Sequence, residues 1–280
     1  LKQWQKAKVL EGDGIDQTYL GGRERETVHP SYQASSYKRY LQNFNESLYS
    51  ESSSIQLHSF AYLHNYIMAS IGEPLLDKRY NSYLKESPLY FQFGDSELAK
   101  KIRKLVSRGN GKEIAESIEK GKIRPSKKLV ETVGSLLKGN EEFVLLDEQK
   151  VAYEKVVSKY NQFVEQTDQK NVIIIKGGPG TGKSVIGLNV MSYMLTKKAY
   201  VEYITPNQAF REVLRKKLIG TSGHVEVRDL FKGSASYVHV PENYFDVLIC
   251  DEAHRLKEHG HMKKKSKGKT KLPKSFGPQG

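Results

Sequence analysis

The stretch "GGPGTGKS" at 177–184 has the residue types and spacing to grip a phosphate chain. Gly177, Gly182, Lys183 and Ser184 fill the G-x-x-x-x-G-K-[ST] pattern, with Gly178, Pro179, Gly180 and Thr181 completing the loop. Glycines let successive backbone N–H groups curl around a β-phosphate, and a helix opening at the end of the loop adds its dipole. Lys183 would bring a point charge to the β- and γ-phosphates, and Ser184 a hydroxyl to Mg²⁺. Further on, "FDVLICDEAH" places Asp251 and Glu252 just past an apolar run, 68 residues after Lys183. Asp251 would hold Mg²⁺ through water, and Glu252 would polarise the attacking water. The pair of stretches predicts a hydrolytic nucleotide site.

Such residues need strands and helices to aim them. "NVIIIK" reads as a buried strand entering the loop, and "SVIGLNVMSYML" as the helix leaving it, with Val185, Leu188, Met191 and Leu195 inward. "AYVEYIT" and "YFDVLICD" read as further strands, and "NQAFREVLRKKL" as a helix between them. Continuous apolar strands alternating with helices predict a parallel sheet covered on both faces, a P-loop α/β core over 141–256.

Upstream, residues 1–95 hold 10 of the 17 tyrosines and read as a mixed α/β body. "LKQWQKAKVL" is strand-like, and "IQLHSFAYLHNY" alternates as a strand would. Between them a helix is expected from Ser31 to about Tyr49, with Tyr37, Leu41, Phe44 and Leu48 on one face. Residues 96–140 form a basic helical connector, in which Leu98, Ile102, Leu105 and Val106 share a face, as do Leu129, Val133, Leu136 and Leu137. Residues 257–280 read as a basic, unstructured tail.

The net charge of +13 is unevenly spread. Residues 101–140 carry +7 and 255–280 carry +8, whereas 1–100 and 141–254 are each at −1. Basic segments beside neutral bodies suit a phosphate backbone, which makes nucleic acid the expected partner. No apolar run approaches the length of a membrane span, and the lone cysteine, Cys250, fits a reducing, cytoplasmic setting.

With those residues in place, the 141–256 segment resembles a superfamily 1 helicase, and in particular the Schlafen group 3 DNA/RNA helicase domain, including "DEAHR". The resemblance implies a RecA-like fold and ATP as the nucleotide. "LLDEQKVAYEKV" resembles the Q motif of that family, where Gln149 would read the adenine edge. "YITPNQAF" resembles motif Ia, where Thr205 and Asn207 would touch a single strand. A helicase of this kind uses two RecA-like bodies, and the pattern here supplies the first, so the chain is expected to be a piece of a longer motor.

In "HPSYQASSY", Gln33 and Tyr37 stand one helical turn apart. They resemble the Q-x-x-x-Y element of RecB-like nucleases, a branch of the PD-(D/E)XK fold, so that 1–95 would be a partial restriction-endonuclease-like domain. In that fold a strand carries Glu-x-Lys, and Lys2 would be the lysine that activates a metal-bound water. Asp13 is a weak candidate for a metal carboxylate. His29, His58 and His64 match no zinc spacing; His29 reads as a helix-opening residue and His64 as a strand-end contact.

The leading expectation is therefore an ATP-dependent nucleic-acid motor joined to a nuclease-like body. Two alternatives stand beside it. One is a P-loop ATPase switch that gates a partner-binding or defence domain without translocation. The other is a non-enzymatic chain that holds nucleic acid through its basic segments.

Overall fold

The structure is a computed structural model that describes residues 1–49, 55–106, 109–121, 144–164, 170–212, 230–237 and 240–256. It is a mixed α/β arrangement built on small sheets. Strands β1 (Ala7–Val9), β2 (Ile15–Leu20) and β3 (Arg23–Val28) form an antiparallel meander. The β2–β3 register runs from Ile15 opposite Val28 to Leu20 opposite Arg23. Gly21 and Gly22 turn it, both at positive φ (+59° and +81°), as a two-residue hairpin with right-handed twist requires.

Helix α1 (Pro30–Phe44) opens at His29, whose Nδ1 accepts from Ser31 N at 3.1 Å, with Pro30 at the first helical position. His29 is fully buried, and its Nε2 lies 3.0 Å from the Leu75 carbonyl. The single helix expected to Tyr49 is broken at Asn45, which is extended and separates α1 from α2 (Glu46–Tyr49). The Asn45 side chain explains the break. Its Oδ1 accepts from Ser47 N at 3.0 Å, and its Nδ2 donates to the Ile118 carbonyl at 2.8 Å. The buried face also differs from the expected one, because Tyr37 and Leu41 are exposed while Tyr32, Ser35 and Ser36 are buried. Apolar spacing finds a helix but does not decide which face meets the hairpin.

The two strand-like stretches shrink to short pieces. β4 (Ala61–Tyr62) pairs in parallel with β5 (Leu89–Tyr90), and Lys2 bridges in parallel to Leu63. Trp4, Leu63 and Leu75 close a core under them. Small 3₁₀ turns and helix α3 (Asn81–Glu86) separate β4 from β5. No nuclease fold is evident in these pieces. In the connector, α4 (Asp95–Leu105) and α5 (Gly111–Lys120) form, but Ile102 and Val106 stay exposed. The stretch with Leu129, Val133, Leu136 and Leu137 lies outside the described residues, as does 257–280.

Helix α6 (Asp147–Val164) joins the front segment to the second half. Val151 packs against Ile15, Val28 and Tyr32. Lys150 pairs with Glu154 at 2.8 Å and with Asp13 at 3.2 Å, and Lys155 pairs with Glu26. Asp13 is thus held in an ion pair with Lys150 and also accepts from Tyr83 OH.

The second half is built on a parallel sheet of order β7-β6-β8, comprising β6 (Val201–Ile204), β7 (Phe231–Lys232) and β8 (Val247–Cys250). Helix α7 (Lys183–Thr196) packs on it, with Leu188, Met191 and Met194 buried beside Tyr203 and Phe231. Val185 and Leu195 are only partly buried, whereas Ile186, Val190 and Met194 are buried, so α7 turns a broader face inward than the expected one, of which Leu188 and Met191 are the buried members. The "NVIIIK" run is a correction. It lies outside the sheet, with Val172 87% and Ile174 73% exposed, and only Ile175 turns towards the core. An apolar run supplies strand propensity, but a strand also needs a partner edge. β8 is likewise an edge rather than a buried strand, with Leu248 45% exposed.

Candidate nucleotide site

The 177–184 loop opens α7 at the carboxyl end of the small parallel sheet, beside the end of β8. Gly182 is the residue before the helix, with a φ of +82° that disfavours any side chain. A Cβ there would lie 2.4 Å from Gln149 Nε2. Gly177 is equally confined, because a Cβ would fall 2.7 Å from Thr181 Oγ1. The loop is braced from within by Thr181 Oγ1, which donates to the Gly178 carbonyl at 2.9 Å. Pro179 and Gly180 form its exposed tip.

Lys183 Nζ donates to the carbonyls of Gly177 (2.8 Å) and Gly178 (2.7 Å), so the ammonium is folded over the loop it would serve. Ser184 Oγ donates to Asp251 Oδ2 at 3.0 Å. Asp251 is set by the sheet, since its N–H donates to the Ile204 carbonyl at 2.8 Å. Glu252 follows in a left-handed conformation (φ +52°) that turns it away from the strand, with its carboxylate 3.4 Å from His254 Nδ1. A serine and an aspartate 67 residues apart thus meet where a helix and a strand end together.

Tyr203 is a residue that spacing missed. Its ring lies under α7, in van der Waals reach of Gly187, and its buried hydroxyl sits beside the side chains of Asp251 and Ser184. Burial, with the Asp251 charge next in importance, holds that hydroxyl well above the ordinary tyrosine range. The sequence signal was a bare aromatic in an apolar strand, which says nothing of the neighbouring carboxylate.

Gln149 reaches the loop as well. Its Nε2 donates to the Thr181 carbonyl at 3.0 Å, and its Oε1 accepts from Leu146 N at 3.1 Å. Thr205 is buried, at 1% exposure, whereas Asn207 is exposed and its Oδ1 accepts from Phe210 N at 3.1 Å to cap the helical residues 208–212.

In the front segment, Lys2, Gln33 and Tyr37 come together around a residue not singled out before, Asp147. Gln33 Nε2 donates to Asp147 Oδ1 and Tyr37 OH to Asp147 Oδ2, while Gln33 Nε2 also lies 3.2 Å from Tyr37 OH. Burial lowers the Lys2 ammonium pKa, and the Asp147 charge partly restores it. Burial, then the bond to Asp147, pushes the Tyr37 phenol up to about 12. The one cue to Asp147 was its place two residues before Gln149.

Mg²⁺ prefers oxygen ligands and uses one or two carboxylates beside waters and phosphates. The hydroxyl of Ser184 and the carboxylate of Asp251 offer oxygens of that kind. Among the described residues, no group of three or more His, Cys, Asp or Glu side chains is placed to hold a metal by itself. No helix among them is long and apolar enough to cross a membrane.

No curated protein and no solved structure matches the chain. With the loop, the helix it opens and the Asp251–Ser184 contact in place, residues 170–277 match the family model of the Schlafen group 3 DNA/RNA helicase domain.

Proposed function

We propose that the chain binds Mg·ATP between the 177–184 loop and Asp251 and hydrolyses it as the first RecA-like body of a nucleic-acid helicase. The observation that carries this reading is the 3.0 Å contact of Ser184 with Asp251, beside an ammonium parked on two loop carbonyls. A phosphate chain offers Lys183 charge-assisted bonds, roughly twice as strong as those to neutral carbonyls, so the ammonium transfers to phosphate on binding. Loop N–H groups and the α7 N-terminus face the same anion. Ser184 and Asp251 would hold Mg²⁺, which supplies charge neutralisation at the phosphates when bound. Glu252, exposed and turned off the strand, is the carboxylate that orients water and takes its proton. The matched helicase family supports nucleic acid, DNA or RNA, as the partner.

For the front segment we propose a nuclease-like body whose polar residues are Lys2, Gln33 and Tyr37. Their convergence on one carboxylate supports this reading. A second overall reading is an ATPase switch without translocation. The direct grip of Gln33 and Tyr37 on Asp147 favours it, because it ties the two halves together.

One experiment separates these readings: ATP hydrolysis measured with and without single-stranded DNA or RNA. Stimulation by the strand supports the motor, and indifference supports the switch. Lys183→Ala should lower turnover by ~100-fold or more, the scale of losing a charge aimed at a developing phosphate charge. Glu252→Gln should bind Mg·ATP but not turn it over. Unchanged turnover in Lys183→Ala refutes the site.

A further inference from the structure

Asp147 stands between two sets of contacts that share no other side chain. On one side is α1. Gln33 and Tyr37 occupy both carboxylate oxygens of Asp147, and Tyr32 OH, on the same helix, donates to the Leu145 carbonyl at 2.8 Å. On the other side is the phosphate loop. Leu146 and Gln149 bond each other twice, through Leu146 N to Gln149 Oε1 at 3.1 Å and Gln149 N to the Leu146 carbonyl at 2.7 Å. Gln149 Nε2 then reaches the Thr181 carbonyl at 3.0 Å. Residues 145–147 link these two sets along the chain.

The backbone at this link is strained. Asp147 is a non-glycine residue at φ +34°, a region that costs an L-residue free energy and persists only where surroundings hold it. The α1 side chains bond to the carboxylate of this same strained residue. If the carboxylate were released, residue 147 could relax to ordinary helical φ. The turn 145–149 would then re-aim Gln149 away from Thr181.

We propose that Asp147, clamped by Gln33 and Tyr37, is a positioning residue that seats Gln149 against the phosphate loop, so that the front segment sets the base-reading end of the nucleotide site. The inference rests on the ATP site proposed above. It assigns Gln33 and Tyr37 a role in the nucleotide half, which the separate reading of the two halves did not include.

The test is an equilibrium titration of the full 280-residue chain with three probes: Mg·ATP, Mg·GTP and inorganic tripolyphosphate. The last engages the phosphate loop but has no base. The variants are Asp147→Ala, Asp147→Asn, the pair Gln33→Ala with Tyr37→Phe, and each combined with Gln149→Ala. Asp147→Ala should weaken ATP by about tenfold, the scale of losing hydrogen bonds to a charged group. It should narrow the gap between ATP and GTP and leave tripolyphosphate within about twofold. The α1 pair should reproduce this without touching the nucleotide half, and Asp147→Asn, which keeps one acceptor, should recover part of the loss. In the Gln149→Ala background none of these changes should weaken ATP further.

Equal losses for ATP and tripolyphosphate, or losses that add to that of Gln149→Ala, overturn the inference and leave the ATP site standing. Failure of the unaltered chain to bind either probe overturns both.

Discussion

Gly182→Ala tests the geometry of the loop most directly. Two separate costs follow from the structure. The first is backbone strain, since a φ of +82° costs an alanine roughly 1–2 kcal/mol. The second is collision, since the new methyl would stand 2.4 Å from Gln149 Nε2. That atom ends a flexible side chain, so Gln149 can swing aside, but only by giving up its bonds to Thr181 and Leu146. At about 1 kcal/mol per bond, this adds roughly 2 kcal/mol. The substitution should therefore destabilise the fold by about 3–4 kcal/mol, read from urea unfolding. In a Gln149→Ala background the second cost is already absent, so Gly182→Ala should then cost only about 1–2 kcal/mol. An equal cost in both backgrounds would show that Gln149 does not rest on the loop, and the reasoning would fail.

The remaining predictions concern burial. Asp16 is fully buried, with one carboxylate oxygen bonded to Tyr80 OH at 2.9 Å and the other without a partner, and burial pushes its carboxyl up to about 7. A folded pKa above the unfolded value means stability that is complete below about pH 4 and lost as pH rises through about 7. His29 works in the opposite sense. Burial lowers it to about 4, so its contribution is present above about 6.5 and lost as pH falls to about 4. The two slopes nearly cancel between those limits. Asp16→Asn should expose the rising histidine slope and gain up to about 4 kcal/mol over the parent at pH 8, measured by urea unfolding at pH 5 and 8; parallel profiles would refute it. Gly187→Ala, whose Cβ would meet Tyr203 Cε2 at 3.1 Å and Ile249 Cγ2 at 3.4 Å, should cost about 1–3 kcal/mol despite better helix propensity. It should also slow hydrolysis by shifting Ser184 from Asp251; a stabilised and fully active variant would refute the packing argument.

Residues 177–184 were legible because their information is local. Glycine tolerates the left-handed backbone at 182, a lysine and a serine start the helix, and the apolar face of α7 repeats at helical spacing whatever it packs on. The turn at Gly21–Gly22 is a local device of the same kind. Asp251 and Glu252 were legible as a pair at a strand end. Their meeting with Ser184 depended on strand order, which tertiary packing set.

Where a partner lies far along the chain, residue types alone did not decide the outcome. The apolar "NVIIIK" run has strand propensity, yet ladder bonds require another edge, and the sheet closes on β6, β7 and β8 without it. Asn45 ends α1 because its side chain binds the Ile118 carbonyl, 73 residues away. Tyr37 and Gln33 turn from a helix face towards Asp147, 110 and 114 residues distant. Sequence by itself determined the glycine loop at 177–184, the helix it opens and the basic segments, because backbone conformation and charge are carried by neighbouring residues. Only the tertiary structure decided that the front segment grips the start of α6 beside the phosphate loop, because hydrogen-bond partners are chosen by which surfaces packing brings together.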